Sequence, residues 1–301
     1  MATLYTHQAA NIRKTWLLMS SFFVVIMGIG WVFSQAYGDA SILYIAVVFS
    51  LVMNVGSYWY SDKIALAVSG AQPVTREEYF DLWNMVENLS ITAGLPMPKL
   101  YVITDSAPNA FATGRDKEHA AVAVTTGLLQ TLNKTELEGV IAHELSHIGN
   151  RDILVATVVV VLVGFVTLLS HFFLRFSRFG GRRSNRGEGK AQGIFFIVGI
   201  ILAILSPLIA TLIQLAISRK REFLADASGA LLTRYPDGLA SALQKIADYS
   251  QPMERANHAT AHLFIANPFG SGQSVAGTFA KLFSTHPPTE ERIRALRAEE
   301  K

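Results

Sequence analysis

Apolar residues run almost unbroken through four stretches of the chain and are mixed with polar ones elsewhere. Between Thr15 and Ser61 the only formally charged residue is Asp39, which separates apolar runs at 16–34 and 41–60. Each run is long enough to cross the hydrocarbon core of a bilayer, and the pair predicts a helical hairpin. Ser34-Gln35-Ala36 has some likeness to a signal-peptidase site. The first run is longer than a usual signal core, however, and a second follows at once, which favours a retained anchor over a cleaved leader. Two further runs, 153–174 and 193–218, contain no Asp, Glu, Lys or Arg. The connector between them, 175–190, is rich in glycine and arginine and predicts a loop.

The remaining segments, 69–150 and 219–301, are polar and patterned, and predict two halves of one water-facing domain interrupted by the second apolar hairpin. The division is therefore 1–68, 69–150, 151–218 and 219–301. Helical periodicity covers 76–92 and is broken by the G-L-P-M-P segment at 94–98. Residues 99–103 and 120–125 alternate as strands, and 109–114 is short enough for a third strand or a turn. The expected class is a mainly α integral membrane protein, with helical hairpins and an α+β domain holding a small sheet.

Composition agrees: half of the 301 residues are hydrophobic, 16% are charged, and the mean hydropathy is positive. A net charge of +3, with no basic run joined to aromatic platforms, excludes nucleic acid as a partner and leaves the lipid bilayer. Cysteine is absent, so disulfides are excluded and a metal site must be built from His, Asp and Glu.

One segment supplies such a site. Thr135 and Glu138 have the spacing of a capping box, which predicts a helix starting at Thr135 and ending near Gly149. On that helix lies H-E-L-S-H, with His143 and His147 one turn apart on one face and Glu144 beside them. Two imidazoles can hold one ion, and an adjacent carboxylate can take the proton of a water attacking a peptide carbonyl. The third ligand must come from elsewhere. Glu222 and Asp226, a turn apart after the fourth apolar run, allow one to bind metal and the other to orient an imidazole. Spacing alone leaves that open against a solvated helix face. His258 and His262 repeat the four-residue spacing without a neighbouring Glu and read as surface histidines; His7, His119 and His171 read as incidental.

Six segments together resemble the HtpX-type membrane metalloproteases, relatives of the CAAX prenyl proteases. They are P-N-A-F-A-T-G at 108–114, V-A-V-T-T-G-L at 122–128, E-G-V-I-A-H-E-L-S-H at 138–147, N-R-D at 150–152, R-E-F-L-A-D at 221–226 and S-T-H-P-P-T-E-E-R-I at 284–293. The resemblance implies a zincin-like domain of the gluzincin type with one zinc ion per subunit, bound by His143, His147 and Glu222. It also implies Glu144 as base and Asp226 as support for a ligand. Asn109, Ala110, Phe111 and Ala112 would line the cleft as an edge strand to which an extended substrate adds. His286 and Arg292 would face the cleft and stabilise the oxyanion.

Arg13 and Lys14 precede the first run, its loop has no basic residue, and Lys63 and Arg76 follow the second. By the positive-inside rule both the N-terminus and the polar domain face the cytoplasm, as in a multi-pass protein of the bacterial inner membrane. Spanning by 153–218 would place Arg175, Arg178, Arg182, Arg183, Arg186 and Lys190 on the far side against that rule, whereas the length of its runs favours spanning. The expected function is zinc-dependent proteolysis of damaged membrane proteins or unfolded polypeptides in a stress response. A scaffold keeping a structural zinc, or a prenyl-peptide protease, are the alternatives; four candidate spans are few for the enclosed chamber the latter needs.

Overall fold

A computed structural model describes residues 4–179, 197, 219–257, 259–270 and 287–298. The chain begins with two long helices, α1 (Leu4–Tyr37) and α2 (Ser41–Val68), packed as a hairpin. Asp39 caps the turn by accepting from the backbone N–H of Ser41 at 2.9 Å. Both helices are long and apolar enough to cross a membrane. Their outer surface leaves Trp16, Val24, Tyr44, Val48 and Val52 exposed, as a lipid-facing surface requires.

A short β1 (Gln72–Pro73) leads to α3 (Phe80–Ala93), which ends where Gly94 adopts the left-handed conformation at φ 65°. Strands β2 (Lys99–Ile103), β3 (Ala110–Gly114) and β4 (Ala120–Thr125) complete a mixed sheet of order β1-β2-β4-β3. Segment 109–114 is thus a strand, at the edge of the sheet. Helix α4 (Thr126–Thr131) and α5 (Lys134–Gly149) follow. The N-cap of α5 is Asn133 and not Thr135. Asn133 accepts from the Glu136 N–H at 3.0 Å, while Glu136 accepts from the Asn133 N–H at 2.9 Å. Thr135, already helical, donates to the Asn133 side chain instead. Two capping boxes overlap in sequence, and the earlier one forms; Asn is the stronger N-cap, and Lys245 also binds Glu136, at 2.7 Å.

Beyond Gly149, Arg151 takes a positive φ of 58°, and α6 (Asp152–Phe179) departs with its axis bent by 84° from that of α5. The first turns of α6 run between the membrane hairpin and the sheet. Leu154, Val158 and Leu162 meet Met19, Phe22 and Ile26 of α1. The third apolar run is therefore buried by protein through its first half, an arrangement that hydropathy does not distinguish from burial in lipid. The fourth run, apart from Ile197, and the connector beyond Phe179 lie outside the described residues.

Helices α7 (Arg219–Thr233) and α8 (Pro236–Asp248) pack on α5 and on each other, and α9 (Thr289–Leu296) packs on α7 and α8, with a 3-10 turn at Ala261–Leu263 between α8 and α9. The core between sheet and helices holds Val140, Ile141, Leu145 and Ile148 of α5, all almost fully buried and each worth about 1.5–3 kcal/mol. It fixes α5 in place. Helix α7 lies against α5 across Gly229, where a Cβ would stand 3.0 Å from the His143 backbone nitrogen. That closeness brings the first turn of α7 to the histidine face of α5.

Candidate metal centre

His143 and His147 project from the same face of α5, their rings edge to face at 4.7 Å and their Nε2 atoms 3.1 Å apart. Glu222, in the first turn of α7, places one oxygen 3.9 Å from His143 Nε2 and the other 3.6 Å from His147 Nε2. Tetrahedral bonds of about 2.0–2.1 Å put ligand atoms about 3.3–3.4 Å apart, so the three side chains fit one ion. Each imidazole turns its other nitrogen to a carboxylate: His143 Nδ1 is 2.9 Å from Asp226, and His147 Nδ1 is 3.2 Å from Asp152. Protons held at Nδ1 by those carboxylates would leave both Nε2 lone pairs available to one cation. Burial opposes a charge on His147, but its bond to Asp152 and the charges of Glu222, Asp152 and Glu144 push its pKa up to about 9. The pocket favours positive charge.

Glu144, 2% exposed, lines the cavity of about 40 Å³ beside His147 and Glu222, enough for an ion with one or two waters. Ala112 borders the same space. Of the four residues expected in the cleft, Asn109, Ala110 and Phe111 are differently engaged. Asn109 clamps Ala266, donating to its carbonyl at 3.0 Å and accepting from its N–H at 3.2 Å. Ala110 gives its carbonyl to the Ile265 N–H at 2.9 Å, so the following segment already covers that end of the edge. Phe111 points to the opposite face of the sheet and packs on Phe264 with ring centres 5.0 Å apart. Strand alternation leaves Ala112 with its amide and carbonyl directed away from β4 and toward the cavity.

Arg292 has a partner that the sequence did not indicate. It is 1% exposed and donates to Asp226 through Nε at 2.8 Å and Nη2 at 2.7 Å, a bidentate pair. The guanidinium thus supports the carboxylate behind His143, and its Nη1 comes within 4.0 Å of Glu222 Oε2. Burial would raise the Asp226 pKa, but the Arg292 bond and charge hold it at about 2, so Asp226 is ionised at neutral pH. His286 lies outside the described residues, as does His258. His262, read as a surface histidine, is instead buried, donates through Nε2 to the Ala156 carbonyl at 3.0 Å, and lines the cavity.

Sequence reasoning missed Asp152. A signal existed, since it is the first carboxylate after the predicted end of α5 and five residues beyond His147.

The family model for peptidase family M48 matches residues 76–300. The chain belongs to peptidase family M48, among the HtpX proteases. It is 49% identical over 300 residues to a protein named Protease HtpX homolog from Thermoanaerobacter pseudethanolicus, covering 98% of each chain. The homolog of that name from Thermococcus kodakarensis is 48% identical over 286 residues, 94% of each chain. In three dimensions the fold is similar to the crystal structure of S. mikatae Ste24p, with TM-score 0.51 and 19% identity over 97% of this chain and 67% of the other. This M48 chain is accordingly a membrane metalloprotease, and the His-His-Glu group is where its described residues can hold a metal.

Proposed function

We propose that the metal is zinc, one per subunit, held by His143, His147 and Glu222, and that Glu144 is the general base. The observation that carries this reading is the convergence of two imidazole Nε2 atoms and Glu222, each imidazole oriented by its own carboxylate. A donor set of two nitrogens and one oxygen, with a position left for water, suits zinc in a gluzincin-type site. When bound, zinc supplies the Lewis acidity that activates water and polarises the scissile carbonyl. Glu144 takes the proton of the attacking water and returns it to the departing amine nitrogen. A substrate strand hydrogen-bonds to the Ala112 amide and carbonyl, contacts blind to side-chain identity. Such tolerance suits damaged or misassembled membrane proteins and unfolded polypeptides. A scaffold with a structural metal is the poorer reading, because it gives no reason to desolvate Glu144.

Metal removal tests the reading. Casein hydrolysis by the purified full-length protein should vanish after dialysis against a chelator and return with stoichiometric zinc. Hydrolysis that persists in protein shown by elemental analysis to be metal-free would sink it.

The catalytic domain is further proposed to face the cytoplasm from a multi-pass position in a bacterial inner membrane, on the distribution of Arg13, Lys14, Lys63 and Arg76 around the first hairpin. The second hairpin is proposed to span. Because the chain lacks cysteine, Ser184→Cys introduces a unique thiol into the connector. In intact cells it should react with an impermeant thiol reagent; protection, with a periplasmic control labelled, would defeat the spanning arrangement.

A further inference from the structure

Asn11 begins the first membrane-length stretch of α1 and is 2% exposed. A carboxamide withdrawn from water needs partners for both its oxygen and its nitrogen. Its Nδ2 donates to Asp152 Oδ1 at 2.7 Å and to the Asn150 carbonyl at 3.3 Å. Its Oδ1 accepts from Arg221 Nη1 at 3.0 Å, and that same Nη1 lies 3.1 Å from Asp152 Oδ1. The other carboxylate oxygen, Oδ2, meets His147 Nδ1. Segments far apart in the chain thus converge on one carboxylate, which in turn faces one imidazole.

We propose that Asn11 and Asp152 are positioning residues of the metal centre, so that the first membrane helix forms part of the site and is more than an anchor. Two donors hold Asp152 Oδ1, and turning the carboxylate to release His147 would break both bonds. The other ligand has a parallel arrangement, in which Arg292 holds Asp226 and Asp226 holds His143. There every member belongs to the catalytic domain. For His147 the support comes partly from α1, and Asn11 lies outside residues 76–300 matched by the family model. Removing the Asn11 carboxamide leaves Asp152 Oδ1 to Arg221, freeing the carboxylate to rotate toward the guanidinium and loosen the tautomer and ring angle of His147. The inference rests on His147 being a metal ligand.

The test uses full-length protein in detergent, titrated with zinc against a competing chelator, and the visible absorption of the cobalt-substituted form. Asn11→Leu and Asp152→Asn should each weaken zinc binding by about 10- to 100-fold and alter the cobalt spectrum, with the melting temperature recorded in parallel. The double variant should be no weaker than Asp152→Asn alone, because both act along one path. Thr15→Val removes another buried polar group of α1, whose hydroxyl donates to the Asn11 carbonyl, and should leave zinc affinity unchanged. If Asn11→Leu does not fold, Asn11→Ser is measured in its place. Wild-type affinity in the Asn11 variant, losses that multiply in the double variant, or an equal loss in Thr15→Val would each overturn the proposal. Failure of the wild type to bind zinc would instead overturn the metal assignment itself.

Discussion

Glu144→Gln is expected to cut peptide hydrolysis by about 10²- to 10⁴-fold while leaving the metal in place. The carboxylate lies in the cavity with His147 and Glu222, yet the three proposed donors come from His143, His147 and Glu222, so the substitution removes a base and no ligand. Glutamine keeps the size of the side chain and can still hydrogen-bond, which protects the packing of a position only 2% exposed. Removing one buried negative charge also weakens the pull on the His147 proton, so zinc content must be measured and not assumed. The expected result is one equivalent of zinc, an unchanged melting temperature and almost no cleavage of casein. A variant that keeps zinc and wild-type turnover would show that Glu144 is not the base. The same pair of measurements separates the enzyme from a scaffold, since a structural zinc site would show no turnover in either protein.

How much of this was legible beforehand depended on whether the relevant interaction is local in sequence. The membrane hairpin, the strands at 99–103 and 120–125 and the end of α5 follow from hydrophobic period and turn residues, which act over a few positions. H-E-L-S-H was legible for the same reason, because one helical turn relates its histidines. Thr135 was misread by two residues, since Asn133 and Glu136 offer an overlapping capping box that the Thr135 spacing hid. His262 was placed wrongly, and the pairing of Arg292 with Asp226 was not foreseen, because burial is a property of the assembled fold. Both look polar in sequence, and both are enclosed by elements that meet only in three dimensions. Asn11 carried no local signal at all. A single amide at the start of an apolar run is unremarked until the turn at Arg151 swings Asp152 beneath it. The first half of α6 teaches the same lesson from the apolar side. Its residues are hydrophobic enough for lipid, but their neighbours are Met19, Phe22 and the sheet.

Arg292→Met should destabilise the protein by about 3–5 kcal/mol, because it strips the cation that makes a bidentate bond to a buried carboxylate. Methionine fills much of the space of the arginine stem, so lost charge and hydrogen bonding dominate over a cavity. Asp226 would keep its contact with His143 Nδ1 at 2.9 Å but lose the interactions that hold its pKa at about 2. As that pKa rises toward the value of a buried acid, protonation would weaken the hold on the His143 tautomer, and zinc binding should fall with stability. Arg292→Lys should recover little, since an ammonium cannot reproduce the two parallel bonds to Asp226 Oδ1 and Oδ2. Thermal melting and zinc content in detergent provide the readout. A group acting only on the oxyanion would give the opposite pattern, with stability and zinc intact and turnover alone reduced. The double variant Arg292→Met with Asp226→Leu should regain part of the stability without regaining zinc affinity, because it removes the stranded charge but also the support of His143. If the double variant is as unstable as Arg292→Met alone, the cost lies in packing around α9 and not in the uncompensated carboxylate.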